Sequence, residues 1–258
     1  MKKLRLVLLV VCVIVFVYSS YELIKYYYEG YKNNQSYNEI KEVYDFDRIL
    51  ELIDGNTDEE TLDDILEIRQ NNFRALKEVN EDAVGWIYVP NTTVDYPVVQ
   101  GRDNSYYLTN NVEKTYARAG AIFMDYRNTL SENYEPLDSN TIIYGHHMKN
   151  GSMFTSLKNF KKEDFFEANR YFYLDTPVGT KKYEIFAVIV TKADYNYIQP
   201  TFNSGEEFLK FVKELKDRAL FTKDIGISEK DKIVTLSTCT YEYEDARLAV
   251  LGKLITNE

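Results

Sequence analysis

The stretch Lys232-Ile-Val-Thr-Leu-Ser-Thr-Cys239, then Thr-Tyr-Glu-Tyr-Glu-Asp-Ala246, then Arg247-Leu-Ala-Val-Leu-Gly-Lys-Leu-Ile255, decides how the chain is read. Both flanks are rich in β-branched and aliphatic residues and have the length of a strand. A short polar connection joins them, so a β-hairpin is expected. Side chains alternate faces along a strand. Thr235, Ser237 and Cys239 then share one face, and Arg247, Leu251 and Lys253 share one face of the partner. With Cys239 opposite Arg247, a thiol and a guanidinium stand on one side of the sheet at the mouth of the hairpin. A cation beside a thiol favours the thiolate and can also hold a developing oxyanion. A buried core cysteine and a surface arginine would leave the same two letters, so this pair alone does not decide.

Working outward, the 258 residues suffice for one large domain or two small ones. A net charge of −10 argues against nucleic acid as a partner. The 23 tyrosines and 14 phenylalanines supply a core and suit a sheet with half-exposed faces. Of the two cysteines, Cys12 lies in an apolar N-terminal run, which leaves Cys239 alone in the rest of the chain. If that part is exported, Cys239 has no intramolecular disulfide partner and stands as a reactive thiol or an intermolecular bridge.

Met1 to Arg5 is basic, and residues 6–18 are almost wholly aliphatic, with low charge continuing to Ile24. The uncharged run is slightly short of the ~20 residues a spanning helix wants. Arg5 and Lys25 can snorkel, and the tyrosines at 18, 21 and 26–28 resemble an interfacial belt. The expectation is a single-pass anchor over residues 1–25, with the N-terminus inside and the bulk of the chain on the outer face of the membrane. A cleaved signal peptide is the rival, but no small-x-small cleavage site follows the run. Residues 26–37 read as a short stalk.

Apolar residues at helical spacing (Ile40, Val43, Phe46, Ile49, Leu50, Ile53) predict a helix over 36–53, broken at Asp54-Gly-Asn56. Thr57-Asp-Glu-Glu60 fits a capping box for a second helix, with Leu62, Ile65, Leu66, Phe73 and Leu76 on its buried stripe and its end near Asn80. This helical pair, over 38–82, is expected to pack on the strand-rich remainder of the chain. From Gly85 the period changes, and strands are expected at 86–89, 94–100, 120–125, 141–144, 171–175 and 182–190. Two helical pieces interrupt them, one near 152–157 and one over 204–221. Many short strands and a final long hairpin suggest a barrel or a sandwich.

The chain has only two histidines, His146 and His147, after the strand-like 141–144. A glycine before a histidine at a strand end lets the backbone turn and expose the ring. Adjacent side chains diverge, so at most one of the two is expected to face a shared site. Taken alone, each is a satisfied loop histidine. Beside a lone exported cysteine, one supplies the minimum for thiol acyl transfer. Zinc is disfavoured: no CxxC, HxxxH or HExxH spacing occurs, although Glu242, Glu244 and Asp245 lie near Cys239.

The Thr235-Leu-Ser-Thr-Cys239 motif followed by Arg247 resembles that of the sortases. The likeness extends to Tyr144-Gly-His146-His-Met148, to Ala117-Arg-Ala-Gly-Ala-Ile-Phe-Met-Asp-Tyr-Arg127-Asn128, and to Tyr96-Pro-Val-Val-Gln-Gly-Arg-Asp-Asn104-Ser-Tyr-Tyr-Leu108. Together these are similar to class B sortases over residues 84–255. The resemblance implies a mainly β fold with flanking helices: a closed eight-stranded β-barrel over 83–258, two helices ahead of it and one long helix before the last hairpin. It implies a membrane-anchored cysteine transpeptidase of Gram-positive bacteria. Such an enzyme cuts a C-terminal sorting signal of a secreted protein and joins the new carboxyl end to a peptidoglycan amine. By motif position, Cys239 is the nucleophile, His146 the general acid/base and Arg247 the oxyanion residue. Ser237 and Tyr144 match groove positions, as do Asn104, Leu108, Tyr197 and Ile198 by looser correspondence. No cofactor or metal is implied. A tethered thiol hydrolase and a non-catalytic β-barrel binding module remain the alternatives.

Overall fold

The computed structural model describes residues 2–54, 59–240 and 244–255. The strands β1 (Ala83–Tyr88), β2 (Asp95–Val99), β3 (Ile122–Met124), β4 (Asn140–Tyr144), β5 (Tyr171–Thr176), β6 (Gly179–Lys192), β7 (Phe221–Thr222), β8 (Ile233–Cys239) and β9 (Ala246–Leu254) form one sheet in the order β5-β1-β2-β3-β4-β8-β9-β6-β7. A further β5–β6 pairing closes it, so eight strands make the barrel and β7 hangs on the edge of β6. The β2–β3 and β4–β8 pairs are parallel and the others antiparallel. The expected closed eight-stranded barrel and its final hairpin are both present, and β7 is a strand that the hydrophobic pattern did not reveal.

Alternation along β8 and β9 splits their side chains between two apolar cores. Val234, Leu236, Leu248 and Val250 face the barrel interior. Ile233, Ala249 and Leu251 face outward, beneath α6 (Gly205–Asp217, which follows the short helices α4, Tyr106–Thr109, and α5, Glu163–Ala168), whose Phe208, Phe211, Val212 and Leu215 cover them. Thr235, Ser237 and Cys239 alternate in step with Ile233, so they lie on the same outer face, Thr235 and Ser237 buried and Cys239 partly exposed. The helix starts where Ser204 accepts the N–H of Glu207 at 3.2 Å. It stops at Asp217, short of the expected 221, because Phe221 leaves it to pair with Val188 in β7 and stack on Phe166.

The N-terminal region departs most from expectation. Anchor, stalk and the start of the helical pair are one helix, α1 (Lys2–Val43), and three helices rather than two precede the barrel: α1, α2 (Phe46–Asp54) and α3 (Glu59–Val79). The predicted helix over 36–53 breaks at Tyr44–Asp45, because Asp45 Oδ1 accepts the Arg48 N–H at 3.1 Å and caps α2. Val43 and Ile53 consequently face solvent, as do Leu62 and Leu66 on α3, while Ile65, Phe73 and Leu76 are buried. The Thr57-Asp58 half of the capping box lies outside the described residues. One α1 segment, of mean hydropathy 2.4 and with none of its residues buried, is long and apolar enough to cross a membrane, which fits an anchor. Beyond it α1 runs onto the barrel. Arg118 lies 3.7 Å from Glu22 and 3.4 Å from Glu29, and Lys41 lies 2.8 Å from Asp95.

A buried polar knot fastens the helices to the β1–β5 seam. Tyr44 stacks on Trp86 at 4.3 Å and donates to Asp175 Oδ2 at 2.7 Å. Arg69 Nε donates to Asp175 Oδ1 at 3.2 Å and Arg69 Nη2 to Thr180 at 3.0 Å. Removing one partner of a buried ion pair costs about 3–5 kcal/mol, because the other charge is left uncompensated. Arg69→Met is therefore expected to lower the thermal midpoint by about 10 °C. A change under about 2 °C in a melting curve would show that the knot carries no stability.

Candidate active site

Cys239 ends β8 and Arg247 lies near the start of β9, and the register pairs the two directly. On its other side Arg247 pairs with Thr191 of β6. The guanidinium is tied to the hairpin by Nη1, which donates to Ala246 O at 3.1 Å. At the described ends of the connection, Asp245 is in the left-handed region (φ 57°) and the Thr240 N–H donates to Ala246 O at 3.0 Å. Glu242 lies outside the described residues.

Residues 145–147 run beside the end of β8. The Gly145 N–H donates to Ser237 O at 3.1 Å, and His147 Nδ1 lies 3.0 Å from Cys239 O. His146 Nε2 lies 2.8 Å from Leu108 O. A carbonyl only accepts, so each of these ring nitrogens carries a proton, and the nitrogen of His146 left to gain and lose one is Nδ1. The two rings diverge, as expected of adjacent residues: His146 turns to the Leu108 carbonyl and His147 to the Cys239 carbonyl. His147 touches the backbone of the thiol residue, a contact that no sequence pattern announces. Gly145 is needed for space rather than for a turn. A Cβ there would fall 2.5 Å from Ile122 Cδ1 and 2.6 Å from Phe154 Cγ, so the sharp fit of the histidine loop on the barrel depends on its absence.

The expected groove residues gather around this point. Tyr197 is buried, and its hydroxyl lies 2.8 Å from Ser237 Oγ. Burial raises its phenol above the ordinary value, against the Ser237 hydrogen bond and the nearby Arg247 cation, which lower it. Tyr144 sits beside Ser237 in the β4–β8 register. Leu108 is exposed and meets His146 through its carbonyl.

Asn104 and Ile198 are held indirectly, through a residue that the sequence did not single out. Asp125 is fully buried. It accepts from Asn104 Nδ2 at 3.0 Å, from Tyr144 OH at 2.7 Å, and from Arg127 Nε and Nη2 at 2.9 and 2.8 Å. Burial works to raise its carboxyl, but these donors outweigh burial and hold it below the usual carboxylate range. Burial and the neighbouring carboxylate push the Tyr144 phenol far up, so it remains a donor. Arg127 Nη2 also donates to Ile198 O at 3.0 Å. Among the described residues, no group of three or more His, Cys, Asp and Glu side chains is placed to hold a metal ion.

A thiol and a guanidinium thus pair on one outer face of a closed barrel, and the loop carrying two imidazoles runs beside the thiol residue. Comparison with known proteins agrees. The family model described as the Sortase domain matches residues 87–255. Sortase B of Listeria monocytogenes is 38% identical over 244 residues, 94% of this chain and 93% of that protein. Sortase B of Staphylococcus aureus is 31% identical over 251 residues, covering 96% of this chain and 94% of its own length. A structure of the Staphylococcus aureus sortase B–substrate complex superposes with a TM-score of 0.74 at 29% identity, over 89% of this chain and 99% of that one. A Bacillus anthracis sortase B structure does so at 0.73 and 35%, over 90% and 100%. Fold, face and family agree, and the chain belongs to the sortase family, in its class B branch, as a sortase-type transpeptidase.

Proposed function

We propose that this transpeptidase cleaves a C-terminal sorting signal on secreted proteins through a thioacyl intermediate on Cys239 and passes the acyl group to a peptidoglycan amine. The observation that carries the proposal is the direct pairing of Cys239 with Arg247, beside the loop of His146. The Cys239 thiolate attacks the scissile carbonyl, and the oxyanion that forms is held by the Arg247 guanidinium. The tetrahedral adduct collapses as the C–N bond breaks. The leaving amine takes the proton of His146 Nδ1, and the acyl group remains on sulfur as a thioester. An incoming amine gives a proton back to His146, attacks the thioester and releases the thiolate. Ser237, Tyr144, Tyr197, Ile198, Asn104 and Leu108 line the groove that receives the peptide. Residues 1–25 hold the enzyme in the membrane with its N-terminus in the cytoplasm, so that the barrel meets secreted substrates at the outer face.

The full chain is to be incubated with peptides of Asn-Pro-x-Thr and Ser/Pro-Pro-x-Thr type, with and without a glycine or diaminopimelate-type acceptor. The expected result is a new amide joining the N-terminal fragment to the acceptor, lost after thiol alkylation. Cleavage that yields free acid alone at saturating acceptor would identify a hydrolase. Indifference to alkylation would leave only a binding module.

A further inference from the structure

We infer that Asp125 and Arg127 are positioning residues that tie the two walls of the peptide groove together and so set its width and side-chain preference. The inference rests on the assignment of Asn104, Tyr144 and Ile198 to the groove. These three residues come from different parts of the chain: the loop before α4 (Tyr106–Thr109), the end of β4, and the segment between β6 and α6. No direct hydrogen bond joins Asn104 to Ile198 among the described residues. The link runs through Asp125, which accepts from Asn104 and Tyr144, and through Arg127, which bonds Asp125 with Nε and Nη2 and Ile198 O with Nη2.

The geometry is that of a brace. Asp125 sits just past β3, and its own backbone is fixed on both sides. Its N–H donates to Ile142 O at 2.9 Å, and its carbonyl accepts from Gln100 Nε2 at 2.9 Å. Asn104 is held twice, since its Oδ1 also accepts the Tyr126 N–H at 3.0 Å. The segment at 198–200 is anchored to the same end of the barrel at three successive carbonyls. Ile198 O accepts from Arg127, Gln199 O from Asn140 Nδ2 at 3.0 Å, and Pro200 O from the Asn140 N–H at 3.0 Å. Two of those anchors stem from Asn140, deep in the sheet. Among the described residues, the Arg127 bond alone connects the segment to the wall that carries Asn104. A planar fork is required, because one guanidinium must serve the carboxylate and the carbonyl together, which an ammonium on a flexible stem does not reproduce. A brace of this kind acts on how a peptide is held. It does not touch the sulfur, the imidazole or the Arg247 guanidinium.

The test uses the full chain carrying Asp125→Asn or Arg127→Lys; the second keeps the charge on a half-exposed side chain, so folding is not at stake. Amide hydrogen exchange without substrate is expected to rise at least about fivefold at residues 103–108 and 195–200 together, and to stay unchanged in β8 and β9. With a sorting-signal peptide, KM is expected to rise about tenfold while kcat changes less than about twofold, and preference at the varied peptide position should flatten. Unchanged exchange at both walls overturns the inference, whatever the substrate proves to be. So does a lowered melting temperature with KM and kcat both preserved, which is the mark of a purely structural ion pair. If the unaltered chain cleaves no sorting peptide, the proposed reaction fails, and the exchange experiment still decides the brace.

Discussion

Cys239→Ala is expected to lower both peptide cleavage and amine transfer by at least about 10⁴-fold, with the melting temperature moved by less than about 2 °C. The loss is large because no other described side chain in the groove can replace the sulfur. Cys12, the second thiol, lies in the apolar stretch of α1. The fold should not notice the change. Cys239 is partly exposed at the last position of β8 and belongs to neither apolar core, so truncation leaves no cavity to penalise. Cys239→Ser should be nearly as inactive, although it is almost isosteric, since a hydroxyl without a stronger base yields too little alkoxide near neutral pH. Rates are to be followed by chromatography of peptide products, with melting by circular dichroism. Activity above about 1% in the alanine variant, once contaminating thiol enzymes are excluded, would remove Cys239 from the mechanism.

Arg247→Ala carries the second-largest expected effect, a fall in kcat of about 10²–10³-fold, the usual result of losing one oxyanion donor. Register, not proximity in a loop, fixes this residue. It faces Cys239 across one ladder and Thr191 across the other, and Nη1 is tied to Ala246 O. Arg247→Lys keeps a cation but loses the planar fork, so it should recover only a small part of the rate. Alkylation of Cys239 by a neutral reagent separates two roles for the guanidinium. If Arg247 acts on the oxyanion, alkylation slows much less than turnover does. If it acts mainly by favouring the thiolate, the two fall in parallel. Turnover of Arg247→Ala within about threefold of the unaltered chain would refute both.

The parts of the fold legible in the sequence are those set by local pattern. The β8–β9 hairpin could be read because alternating residues flank a polar connection; alternation fixes faces and not register, and the pairing of Cys239 with Arg247, posed only as a condition, is seen in the ladder. Most other strands were readable for the same reason. The continuity of α1 was not, because residues 26–37 mix tyrosine with polar residues and lack an apolar stripe, so their helicity draws on neighbouring turns and on docking contacts such as Arg118 with Glu29. Asp45 looked like one more acidic residue in an amphipathic run, yet it caps a new helix. β7 has two residues, too few for any pattern.

At the site, the thiol, guanidinium and His146 stood out by residue type. Asp125 and Arg127 did not, because an acid and a base two positions apart are commonplace, and their importance arises from Asn104, Tyr144 and Ile198 O arriving from elsewhere. His147 was set aside because adjacent side chains diverge. They do diverge here, His146 to Leu108 O and His147 to Cys239 O, and the second contact depends on where β8 ends rather than on any local pattern.

The most direct test of the nucleophile is the mass of the intact chain, quenched in acid during turnover of a sorting-signal peptide. The expected spectrum contains a species heavier by the N-terminal acyl fragment, mapped to the peptide containing Cys239, released by hydroxylamine and absent from Cys239→Ala. Turnover without any adduct when acyl transfer is made slow by withholding amine, or an adduct on a different residue, would contradict the account.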